Sequence, residues 1–112
     1  MSLREKQSEF ARCVAELIHF ATVHGYEVTF GETYRSPETA QRYADMGVGI
    51  ANSLHCKRLA IDLNLFRDGD WLTKTKDHEP LGVYWEGLHP LARWGGRFRD
   101  GNHYSFEHEG VK

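Results

Sequence analysis

The chain has little of several things that would have fixed its class at once. Cysteine is scarce: Cys13 and Cys56 are its only two. Two cysteines cannot build a disulfide framework, so reduced thiols are the simpler reading. A basic excess is missing too, since the formal net charge is -2. A protein that grips a phosphate backbone usually carries such an excess, so no nucleic-acid partner is expected. No apolar run is long enough to cross a bilayer, so no membrane insertion is expected. The N-terminal stretch has charges but no continuous apolar segment behind them, unlike a secretory signal. Cytoplasmic accumulation is therefore expected, with delivery by another protein if the substrate lies outside. Internal repeats and low-complexity segments are absent, which excludes solenoids and linkers. So are His-Glu-x-x-His, Gly-x-Ser-x-Gly and Gly-x-x-x-x-Gly-Lys, which sets aside three large enzyme classes.

What is there suits one folded unit. The 112 residues allow a single domain over 1–112, and 40% apolar with 27% charged residues is an ordinary globular balance. Nothing in the sequence indicates an oligomeric state.

Phe10, Val14, Leu17, Ile18 and Ala21 recur at helical spacing, and Gly25 is placed to end that helix. Tyr26 to Phe30 alternates as a strand. Ser36-Pro37-Glu38 starts a second helix, with serine as cap and proline in the first turn. That helix runs to about Met46 and stops at Gly47, and a loop follows to Asn52. Arg58 to Phe66 reads as a central strand. Leu59, Ile61, Leu63 and Leu65 share one face; Ala60, Asp62, Asn64 and Phe66 share the other. Asp68-Gly69 turns the chain into a short strand at Trp71-Leu72. Pro80 to Leu88 fits a third helix. Trp94 to Phe98 is a glycine-rich bend, and His103 to Glu107 is a last strand. Together these predict an α+β fold, a small antiparallel sheet with flanking helices.

Seven histidines raise the question of a metal. Catalytic zinc takes three His or carboxylate ligands and keeps a fourth position open. His55 and Asp62 are seven residues apart, so on one flat strand they would face opposite ways. They converge only if the chain turns between them, and Lys57-Arg58 is the place for it. Asp62 interrupts an apolar strand, and a charge there needs a partner or a metal. Asp100-Gly101-Asn102-His103 offers an acid and an imidazole around a tight bend. The other histidines read as core or surface residues, and Cys56 points away from His55.

Ser53-Leu54-His55-Cys56-Lys57-Arg58-Leu59-Ala60-Ile61-Asp62 resembles the Ser-x-His-x-x-Gly-x-Ala-x-Asp motif of the D-alanyl-D-alanine metallopeptidase superfamily. That group includes VanY-like and VanX-like enzymes and phage L-alanyl-D-glutamate endopeptidase endolysins. Tyr34-Arg35-Ser36-Pro37 resembles its Tyr-Arg-Ser segment. Trp94-Gly95-Gly96-Arg97-Phe98, then Asp100-Gly101-Asn102-His103-Tyr104, resembles the ending of the phage branch. The resemblance spans roughly residues 26 to 107. It implies a Hedgehog- and D-Ala-D-Ala-peptidase-like fold and a zinc cofactor held by His55, Asp62 and His103. It further implies Asp100 as general base, Arg35 as a catalytic and substrate-binding arginine, and Ser53 near the substrate. The partner it implies is the peptidoglycan stem peptide. Cleavage of the L-Ala–D-Glu bond by a phage or prophage endolysin is the leading expectation. D-Ala-D-Ala carboxypeptidase or dipeptidase action and a non-catalytic zinc-binding module are the alternatives. One departure stands out: the usual glycine of the first motif is Arg58.

Overall fold

The computed structural model describes all residues, 1–112. Helix α1 (Leu3–Val23) starts earlier than the apolar pattern suggests, because Ser2 and Glu5 form a capping box at its head. Its apolar face buries Phe10, Cys13, Val14, Leu17 and Ala21. Strand β1 (Glu27–Phe30) follows, then α2 (Pro37–Asp45), capped by Ser36 as its sequence predicts. A 3-10 turn, Leu54–Lys57, leads into β2 (Ala60–Arg67). Next come β3 (Asp70–Leu72), a second 3-10 turn at Thr75–His78, and α3 (Glu79–Leu88). Strand β4 (Ala92–Trp94), a third 3-10 turn at Gly95–Phe98 and β5 (His103–Phe106) complete the fold.

The fold is α+β, as expected. Every strand pair is antiparallel, in the order β1-β2-β5-β4, with β3 also on β2. Strand β2 is the centre. Its paired segments are Leu63–Phe66 with β1, Ala60–Asp62 with β5, and Leu65–Arg67 with β3. The expected division of its faces holds from Ile61 onward: Leu59, Ile61, Leu63 and Leu65 are buried, while Asp62, Asn64 and Phe66 are half-buried on the opposite face, where Ala60 is buried as well.

The buried face packs on α1 and α3. Phe10 of α1 meets Trp85 and Phe106 edge-on at 5.6 and 5.3 Å between ring centres. Trp85 also donates its indole N–H to the carbonyl of Ser105 at 3.2 Å. This aromatic cluster fixes β5 against the helices, and so fixes where His103 begins. The other face of the sheet is left open, and Asp62 lies on it.

Strand β4 is an element the sequence reading left out. Its three residues are too few for a periodicity, and the glycines after Trp94 mark a bend more clearly than a strand. No helix is long and apolar enough to cross a membrane.

Candidate metal centre

Asp62 stands on β2 directly opposite His103, the first residue of β5. Directly paired residues share a face, so register alone brings the two together. The Nδ1 of His103 lies 3.3 Å from Oδ1 of Asp62.

His55 reaches the same place from the turn before the strand. The Ser53 Oγ accepts from the His55 backbone N–H at 3.2 Å and starts that turn. Arg58 then adopts a left-handed conformation, with φ of 55°. That is the reversal the odd spacing of His55 and Asp62 requires. Glycine takes this conformation most readily, since a Cβ costs energy in this region. Here an arginine accepts the conformation, and its guanidinium stacks on the ring of Tyr34 at 4.1 Å. The Nε2 of His55 ends 3.4 Å from Oδ1 of Asp62.

The three residues thus offer two ring nitrogens and a carboxylate oxygen within 4.8 Å of one another. Both imidazoles are buried and Asp62 is half-buried. Two nitrogen donors and one carboxylate form a set suited to a transition-metal ion. The group could hold one, and the other five histidines are not drawn into it.

The electrostatics reflect this crowding. Burial works against the Asp62 carboxylate, but hydrogen bonds from His103 and His55 outweigh it and hold its pKa down at about 2. Burial likewise works against a charged His55. Its contacts with Asp62 and the Thr33 carbonyl prevail and raise its pKa above the ordinary histidine value.

Asp100 sits at the mouth of the site. Its Oδ2 is 4.0 Å from Nδ1 of His103, and its side chain is 53% exposed. Partial burial, with the nearby Asp62 charge, raises its pKa, against the pull of His103. The bend that carries it depends on close packing. A Cβ on Gly95 would lie 2.2 Å from the Asp100 carbonyl oxygen and 2.7 Å from Cβ of His103. Gly101 is needed for a related reason: a Cβ there would meet Cα of Thr75 at 2.5 Å. Its φ is not positive, so the constraint is space and not backbone handedness.

Arg35 lies in the same cleft, and it brings a residue that the sequence reading passed over. Glu32, three positions earlier, accepts from Nε of Arg35 at 3.0 Å and from Nη2 as well. The Glu32 Oε1 is also 3.9 Å from Nε2 of His55. A Glu and an Arg three residues apart gave little signal, because the segment 31–36 is irregular and shows no face. Ser53 is buried on the wall of this cleft. Val48, Ile50 and Phe98 add apolar walls to this cleft of about 430 Å³.

No family model matches the chain, and no curated protein sequence does. Among solved structures, the L-Ala D-Glu endopeptidase ChiX of Serratia marcescens matches with a TM-score of 0.75. The match covers 89% of this chain and 79% of that one, at 16% identity. The chain therefore has the fold of that endopeptidase, with a His-Asp-His cluster in an open cleft.

Proposed function

We propose that this chain is a zinc-dependent peptidoglycan peptidase of the D-alanyl-D-alanine metallopeptidase superfamily, cleaving the L-Ala–D-Glu bond of stem peptides. The observation that carries the reading is the convergence of His55, Asp62 and His103, with Asp100 beside them at the cleft mouth. The solved neighbour's own activity supports the choice of bond.

His55, Asp62 and His103 would hold the zinc. When bound, zinc supplies Lewis acidity toward a carbonyl and lowers the pKa of an attacking water. Asp100 accepts the proton of that water on its carboxylate and later delivers it to the leaving amine. Its raised pKa suits a group that must take a proton and give it back. Arg35 binds the scissile carbonyl and meets the negative charge that grows on its oxygen. Glu32 holds the guanidinium in place for that task. Ser53 caps the turn of His55 and lies at the edge of the cleft where substrate would bind. The phage-like ending of the sequence fits a prophage lysis protein that accumulates in the cytoplasm and reaches the wall once the membrane is opened.

The test is digestion of purified peptidoglycan by the zinc-loaded protein, with fragments identified by mass spectrometry. New N-terminal D-Glu peptides, absent with Asp100→Asn, are the expected result. Released D-Ala would move the activity to the carboxypeptidase branch. No product, with zinc confirmed bound, would leave a binding module.

A further inference from the structure

The open face of β2 continues past the metal centre. Asp62, Asn64 and Phe66 follow one another along it, two residues apart. Strand β5 pairs with β2 only as far as Asp62, and β3 begins pairing at Leu65. Between those two ends lies a second hollow of about 200 Å³, lined among others by Asn64, Asn102, Thr73 and Trp71. Asp100 lines both this hollow and the metal cleft, so the two adjoin at that residue.

The far wall of the hollow is Trp71, 63% exposed. It pairs with Phe66 across β2 and β3 and stacks on it, with ring planes 24° apart. A tryptophan backed in this way is a rigid flat surface that water covers poorly. Side-chain amides and a threonine hydroxyl stand around it. An aromatic plate bordered by neutral donors and acceptors suits a pyranose ring. The C–H face of the sugar lies on the plate, and its hydroxyl and N-acetyl groups meet the amides.

The free cation Lys112 distinguishes the metal cleft from the second hollow. The metal cleft carries Lys112, which suits a carboxylate of D-Glu or of a residue after it, while Arg35 is engaged by Glu32. The second hollow is bordered by one exposed cation, Arg99, and one anion, Asp100, which offset each other. A peptide carboxylate suits the first, and a neutral sugar fits the second. Length agrees. L-Ala and the lactyl ether that joins it to muramic acid span about two residue lengths, ~7 Å. Asn64 is two residues from Asp62 along β2, also ~7 Å.

Resting on the peptidase reading above, we infer that Asn64, Asn102 and Trp71 form a subsite for the N-acetylmuramoyl sugar that carries the stem peptide. The enzyme then prefers peptides still attached to glycan over free ones.

Binding separates this inference from the activity it rests on. The probes are a free stem tetrapeptide and the same tetrapeptide carrying N-acetylmuramic acid at its N-terminus. Calorimetry on zinc-loaded Asp100→Asn protein reads affinity without turnover. The sugar-bearing probe is expected to bind on the order of tenfold tighter. Adding Trp71→Ala should remove that preference, and Trp71→Phe should restore most of it. Equal affinity for the two probes, including no binding of either, overturns the subsite. So does a Trp71→Ala effect of the same size on both probes, which would make the hollow a peptide site. Failure of the wild type to hydrolyse wall material would instead overturn the peptidase reading, and the binding comparison would still stand.

Discussion

The imidazole of His55 gives its Nδ1–H to the backbone carbonyl of Thr33, at 3.0 Å. A carbonyl can only accept, so this bond places a proton on Nδ1 and turns Nε2 toward Asp62, where a metal would take the place of any proton it carries. His103 is set differently. Its Nδ1, not its Nε2, faces the carboxylate. The two imidazoles thus approach one point by different nitrogens. One is oriented by a loop carbonyl, the other by the pairing of β2 and β5.

Such a preformed set should couple metal binding to folding. Zinc at a hundred times its dissociation constant adds about 2.7 kcal/mol. For a chain of this size, that raises the melting temperature by more than about 5 °C. Thermal unfolding with saturating zinc, and again with excess chelator, measures the difference. Equal melting temperatures would argue against a metal in this site.

Glu32→Gln keeps the shape of the side chain and removes its charge. If Glu32 serves to hold Arg35, kcat/KM should fall by about tenfold, the worth of one charge-assisted hydrogen bond. Zinc affinity should not change. Kinetics and metal titration on the same preparation decide it. Weaker zinc binding with normal kcat/KM would place Glu32 in the service of the metal, through its approach to His55.

Gly95→Ala should damage the site from outside it. The added methyl overlaps the Asp100 carbonyl and the His103 Cβ. The strain is expected to cost about 1–3 kcal/mol. Zinc affinity should drop by about 10–100-fold, as for groups that orient a ligand. Gly87→Ala is the control: nothing lies within 4 Å of its Cβ position in α3. There the change should be neutral or slightly stabilising. Chemical denaturation and zinc titration of the two variants test this; equal behaviour would contradict the packing argument.

His78 should give the protein an acid-side weakness unrelated to the metal. It is buried, its Nδ1 is 2.8 Å from the Tyr104 hydroxyl, and burial lowers its pKa. The unfolded chain takes up a proton near the ordinary histidine value of 6.5, while folded His78 stays neutral. Its contribution is whole above that pH. It is lost progressively as pH falls below it, until the lowered folded value is reached. His78→Asn lacks this titration, so its stability should fall less steeply over the same range. Urea denaturation of both proteins at a series of pH values measures the slopes, and identical slopes would refute the assignment.

Much of this was legible in the chain itself. The spacing of Phe10, Val14, Leu17 and Ala21 specifies one face of α1. Alternation from Leu59 to Leu65 specifies which face of β2 is buried, because a strand turns each side chain over in succession. The odd spacing of His55 and Asp62 demanded a reversal between them, and Arg58 supplies it at φ 55°. These are properties of neighbours along one chain, and local geometry governs them. Tertiary structure decided the rest. The pairing of β2 with β5 sets Asp62 against His103, 41 positions away. No local pattern encodes a register between distant strands. The same holds for Glu32 near His55, for β4, and for the hollow between β3 and β5. Each comes from how separate segments pack, and a packed contact has no period to be read in advance.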